Sequence, residues 1–123
     1  MTNKSRIMLV DDDPDIILTF RAGLEQNGFA VDVFNDSLMA LLNFEPGIYD
    51  LLLFDIKMPE MNGFELYREI EKIDNKARVC FVTSFVAYYE SLREIFPRVK
   101  ACCFIKKPIQ IDNLVTRIKA ELK

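Results

Sequence analysis

The feature that most constrains the fold of this chain is an alternation, repeated five times, between short apolar runs and amphipathic stretches. Residues 7–10 are an apolar run that stops abruptly at Asp11, Asp12 and Asp13. Pro14 then stands where a helix accepts its first residue, with Asp13 placed to cap it. Ile17, Phe20 and Leu24 recur at helical spacing, and Gly28 ends that helix. Ala30–Phe34 reads as a second strand. Asn35 and Asp36 open a short helix that runs to about Phe44 and is halted by Pro46 and Gly47.

Residues 51–54 are apolar without alternation, which predicts a strand buried on both faces and ending at Asp55. A turn-rich loop, 56–62, carries Pro59 and leads through Gly63 into a helix with Phe64, Tyr67, Ile70 and Glu71 on its stripe. A fourth strand is predicted at 79–82, ending at Thr83 and Ser84, then a helix at 86–96 limited by Pro97. A fifth strand is expected at 102–105, before Lys106, Lys107 and Pro108. Leu114, Ile118 and Leu122 then step by four through a last helix.

Strands separated by helices need crossover connections, which give a parallel sheet with helices on both faces. Five such units in 123 residues predict an α/β fold, a flavodoxin-like doubly wound (βα)5 sandwich with strand order 2-1-3-4-5. That length holds one domain, residues 1–123, and leaves no room for a second. The net charge is only −3 and the cations are scattered, so direct nucleic-acid binding is not expected. The apolar runs are too short to span a membrane, and the polar start does not read as a signal peptide, so a cytoplasmic location is expected. Cys80, Cys102 and Cys103 lack zinc-site spacing, and the chain has no His. They are expected to be small apolar residues in or beside strands, kept reduced. Without His, any chemistry falls to carboxylates, hydroxyls, amines or backbone.

In doubly wound sheets function collects outside the carboxyl ends of the strands. Here those ends carry Asp11 and Asp12, Asp55, Thr83 and Lys107. Any one of them alone is uninformative, since a lone Asp after a buried strand is more often a helix cap or loop residue. Together they are more specific, because two like charges about 5 Å apart cost roughly 3 kcal/mol at an effective dielectric near 20. Such a cluster needs a cation, a shared proton or a neighbouring ammonium. A hard divalent ion, Mg²⁺ with Mn²⁺ as a substitute, suits the oxygen donors, and Lys107 supplies an ammonium. A carboxylate nucleophile, a metal and a cation are what phosphoryl transfer to an Asp requires.

The acidic run Asp11-Asp12-Asp13, the segment Asp55-Ile56-Lys57-Met58-Pro59-Glu60-Met61-Asn62-Gly63, the pair Thr83-Ser84 and Lys107-Pro108 resemble the response-regulator receiver signature, in family order and across essentially the whole chain. The resemblance implies that Asp55 is the phosphoacceptor. It implies that Asp12 binds the metal directly, Asp11 through water, and the Lys57 carbonyl as a further ligand beside Asp55. Thr83 would hydrogen-bond the phosphoryl group, and Lys107 would pair with it ahead of a cis peptide at Pro108. Lys106 would point to the other face of the strand. Phe104 falls at the family's switch aromatic and reads equally as a packing residue. Asp13 reads as a cap, and Met58 and Met61 as loop packing. The partners implied are a sensor histidine kinase or phosphotransfer protein and an unknown downstream effector or output domain. The output surface would be the helix at 86–96, the fifth strand and the last helix. By the same resemblance Lys57 and Phe85 would flank the water approach to Asp55, which implies slow loss of the phosphoryl group.

The chain departs from the family pattern at Lys100-Ala101, Pro97 and the bulky Phe85. Other readings fare worse. A haloacid-dehalogenase-like phosphatase needs a different continuation after the first acids, and a flavodoxin-like cofactor site would not place three acids where a phosphate binds. A receiver-like interaction domain that is never phosphorylated stays open, against the intact acceptor set.

Overall fold

The computed structural model describes residues 4–84 and 103–123. Among these residues lie five strands, β1 (Arg6–Val10), β2 (Ala30–Phe34), β3 (Leu51–Asp55), β4 (Arg78–Thr83) and β5 (Phe104–Lys106). Four helices alternate with them: α1 (Pro14–Gln26), α2 (Ser37–Asn43), α3 (Gly63–Ile73) and α4 (Ile111–Glu121). Phe85, the helix expected at 86–96, Pro97, Lys100-Ala101 and Cys102 fall outside the described residues.

The sheet is parallel throughout, in the order β2-β1-β3-β4-β5. β3 is buried along its whole length, as its unbroken apolar run predicts. Side chains alternate between the faces, giving two cores. Met8, Val10, Leu52, Phe54, Val79 and Phe81 pack with Phe64, Leu66 and Ile70 of α3. Ile7, Leu9, Leu51, Leu53 and Val82 pack with Phe20 and Leu24 of α1 and with Leu114, Val115 and Ile118 of α4. No helix among the described residues is long and apolar enough to cross a membrane.

Local signals account for the helix starts. The Asp13 side chain accepts the Asp15 N–H at 2.9 Å, with Pro14 in the first turn. Asp36 caps α2 through the Met39 N–H at 3.0 Å. At α3 the Asn62 side chain accepts from the Glu65 N–H while the Glu65 carboxylate accepts from the Asn62 N–H, both at 2.9 Å. This reciprocal cap fixes the exit of the loop that follows β3.

The cysteines correct the sequence expectation in part. Cys80 and Cys103 are buried inside the sheet's α1/α4 core, as small apolar residues would be. They are not separate reduced thiols, however, because a disulfide joins them. Nothing in a spacing of 23 residues announces that pair. It follows from register. Phe81 lies opposite Phe104, so the preceding residues also face each other, and their Cα atoms are 4.6 Å apart.

Candidate functional site

Among the described residues the buried polar side chains are Asp11, Ser37, Asp55 and Thr83. Three of the four stand at the carboxyl ends of β1, β3 and β4, where a doubly wound sheet opens its crevice. Asp11 is 1% exposed and Asp55 7%. Strand geometry puts them there, because β1 and β3 are neighbours with Val10 beside Phe54 and the chain continues from each into an acid. Asp12 follows Asp11 and is exposed at the rim. Carboxylate oxygens of Asp11, Asp12 and Asp55 all lie within 4.8 Å of one another. Oxygen donors converging in this way suit a hard divalent cation that keeps part of its water shell.

Lys107, just past β5, closes the cluster. Its Nζ lies 2.7 Å from Asp11 Oδ2 and 3.4 Å from Asp55 Oδ1. Its backbone N–H donates to the Thr83 carbonyl at 2.9 Å, and the Lys107–Pro108 peptide is cis. Lys106 is exposed and contributes nothing to the cleft, whereas Lys57, Met58, Pro59 and Ser84 line it. Asp13 also borders the cleft, but its side chain is engaged at the start of α1.

The electrostatics follow from this crowding. Burial, with Asp11's charge next, pushes the Asp55 carboxyl up to about 7, against the pull of Lys107. Burial also raises Asp11, although its bonds to Lys107 and to the Asp13 N–H hold it back. For Lys107, burial would lower the pKa, but Asp11 and Asp55 together raise it. Lys107 is therefore firmly charged, while the acids beside it exceed what it can neutralise.

Two features of the loop after β3 escaped the sequence reading. A Cβ on Gly63 would lie 2.1 Å from the Asp55 carbonyl oxygen, so only glycine lets α3 start against the end of β3. The Gly63 N–H donates to the Ile56 carbonyl at 2.8 Å and pins that approach. Buried Ser37, at the start of α2, donates to the Met61 carbonyl at 2.8 Å and so ties the loop to a second helix. Met58 is buried and Met61 partly so, in keeping with loop packing. Phe104 is half-buried, stacked on Phe81 at 5.3 Å and edge-on to Phe64 at 6.1 Å.

Residues 7–119 match the family described as the response regulator receiver domain. The chain belongs to that family. The receiver domain is 30% identical over 123 residues to the transcriptional regulatory protein RprY of Bacteroides fragilis, covering 100% of this chain and 51% of that protein. It is 33% identical over 117 residues to the response regulator receiver protein CpdR of Brucella abortus, covering 95% of this chain and 96% of that protein. The chain thus spans about half of one curated relative and nearly all of another. Among solved structures, the non-phosphorylated HemR receiver domain from Leptospira biflexa is 29% identical and superposes with a TM-score of 0.85, over 98% of this chain and 95% of that one. The five-stranded order predicted from the sequence is the one observed.

Proposed function

We propose that residues 1–123 form a receiver domain that accepts a phosphoryl group on Asp55 in a cation-dependent reaction and passes the change to a partner. The observation that carries this reading is the Asp55 carboxylate, buried beside Asp11 and Asp12 and 3.4 Å from the Lys107 ammonium. The donor is a phosphohistidine on a sensor kinase or phosphotransfer protein. An Asp55 oxygen attacks phosphorus, the phosphorus–nitrogen bond breaks, and the imidazole leaves with the electron pair and takes up a proton. The product is an acyl phosphate.

Asp12 would hold Mg²⁺ directly, Asp11 through water, with the Asp55 carboxylate and the Lys57 carbonyl as further ligands. Bound there, the cation would offset the charge of the phosphoryl oxygens. Attack requires ionised Asp55, and a carboxyl near 7 is only partly ionised at neutral pH until positive charge arrives. Lys107 pairs with the incoming oxygens, and Thr83 offers its hydroxyl from the end of β4. Both then bias the β4, β5 and α4 side toward its output arrangement, with Phe104, stacked on Phe81 and edge-on to Phe64, in the aromatic cluster that would move. Histidine-kinase donors depend on ATP, which favours the cytoplasm.

Intact-mass measurement after acetyl phosphate and Mg²⁺ tests the reading. One phosphoryl group should appear on the wild-type chain and none on Asp55→Asn. Equal labelling of the variant would move the acceptor elsewhere.

A further inference from the structure

The disulfide sits where the strands of the proposed switch meet. Cys80 precedes Thr83 by three residues on β4, and Cys103 directly precedes Phe104. Lys107 follows four residues after Cys103. β5 is the sheet edge and is short, with Phe104, Ile105 and Lys106 in register. Beside the disulfide, the Phe81 N–H donates to the Cys103 carbonyl at 3.0 Å, and beyond it the Lys107 N–H donates to Thr83. The covalent bond therefore reinforces a junction otherwise held by a few edge hydrogen bonds.

The same bond lies against α4. Leu114, Val115 and Ile118 pack in the core that contains both cysteines. Arg117 reaches Cys103 Sγ at 3.9 Å and donates to the Phe104 carbonyl at 3.3 Å. A displacement that starts at Lys107 or Thr83 reaches α4 intact only if β4 and β5 move as one body. Disulfides in reducing compartments are characteristically transient and redox-sensing rather than permanent staples.

We propose that the Cys80–Cys103 pair is a redox gate on the switch: oxidised, it couples the Asp55 pocket to α4, and reduced by a dithiol reductant, it uncouples them. This rests on the phosphoacceptor reading above. In the reducing step a thiolate of the dithiol attacks one sulfur, the disulfide bond breaks, and a mixed disulfide forms. The reductant's second thiol then closes its own disulfide, so two electrons and two protons pass to Cys80 and Cys103. Oxidation by a disulfide of the same class reverses the step. Both cysteines are buried in the core that Leu114, Val115 and Ile118 of α4 share, so exchange requires local opening of that core, which ties the rate of reduction to the state of the same face.

The test compares the full chain, oxidised and after dithiothreitol, with beryllofluoride and Mg²⁺ as the phosphoryl mimic and backbone amide spectra as the readout. In both redox states the Ile56 amide beside the acceptor should shift alike. The shifts across Leu114, Val115 and Arg117 should fall by about half or more on reduction. Exchange of the Phe81 and Lys107 amides should speed by about tenfold or more. A Cys80→Ala, Cys103→Ala chain should match the reduced protein and ignore dithiothreitol. Equal α4 shifts in both states, with Ile56 responding normally, would overturn the gate alone. So would a folded chain that dithiothreitol leaves oxidised. No adduct in either state would take down the phosphoacceptor reading, and the gate with it.

Discussion

Replacing Asp55 with Asn should stabilise the fold in the absence of divalent cations. In the folded chain burial and the neighbouring Asp11 lift the Asp55 carboxyl from 3.8 to about 7. Between those values the native state binds a proton that the unfolded chain has released. Stability therefore falls as pH rises from about 4 to about 7 and is flat above that. The bias against the ion corresponds to about 4 kcal/mol at most. Asn keeps an acceptor for the Ile56 N–H, bonded at 3.0 Å in the wild type, but deprives Lys107 of one of its two anionic partners. The net gain should then be about 1–3 kcal/mol near pH 7.5.

Urea unfolding in EDTA from pH 4.5 to 8 measures this directly. The difference between variant and wild type should be near zero at the acid end and grow with pH. Mg²⁺ should then close the gap, because the wild type gains a ligand that binds only its folded state. A variant no more stable than wild type at pH 7.5 in EDTA, or a gap independent of pH, would refute the reasoning.

Three further outcomes follow from the same geometry. Asp12→Ala should weaken Mg²⁺ binding by more than about tenfold and abolish labelling by acetyl phosphate, because the proposed direct ligand is lost while burial at the exposed rim hardly changes; titration calorimetry and intact mass read both. Lys107→Ala should still accept some phosphoryl group, yet the amide shifts of α4 on phosphorylation should shrink well below those of wild type. Gly63→Ala should destabilise the domain by about 1–3 kcal/mol and slow labelling, because the new Cβ meets the Asp55 carbonyl oxygen and the backbone must move; denaturant midpoints and labelling rates check it.

What the sequence made legible was whatever depends on chain-local pattern. A short unbroken apolar run such as 51–54, bounded by turn signals, reads as a strand covered on both faces, and the alternation of such runs with helices points to the sheet. Polar residues that end those runs must then gather at one edge, which is how Asp11, Asp55, Thr83 and Lys107 were found. Choosing Lys107 over Lys106 rested on the resemblance, in which the lysine directly precedes the proline, and strand alternation then turns Lys106 to the other face. Contacts set by packing in three dimensions were not legible. Ser37 reaching Met61, the bare approach of Gly63 to Asp55 and the pairing of Cys80 with Cys103 each join residues with no periodic relation. The cysteines were misjudged because composition and compartment speak to an average thiol, whereas strand register decides whether two sulfurs meet.

In the proposed mechanism Lys107 would be the side chain through which the charge at Asp55 becomes a change of shape. Its ammonium lies closer to Asp11 than to Asp55, at 2.7 Å against 3.4 Å. Both contacts are partly buried, where a charge pair is worth more than at the surface. A phosphoryl group on Asp55 would put more negative charge on that side, with oxygens extending toward the ammonium. The cation would then gain by turning from Asp11 to the phosphoryl oxygens, while Asp11 would turn to a bound divalent ion. Such an exchange of partners is a discrete move between two arrangements rather than a graded drift, and discrete moves are what packed interiors transmit. Because the Lys107 N–H is bonded to the Thr83 carbonyl, the move pulls on β4 and β5 together. The ammonium thus directly follows β5, the strand whose attachment to β4 would decide how far the signal travels.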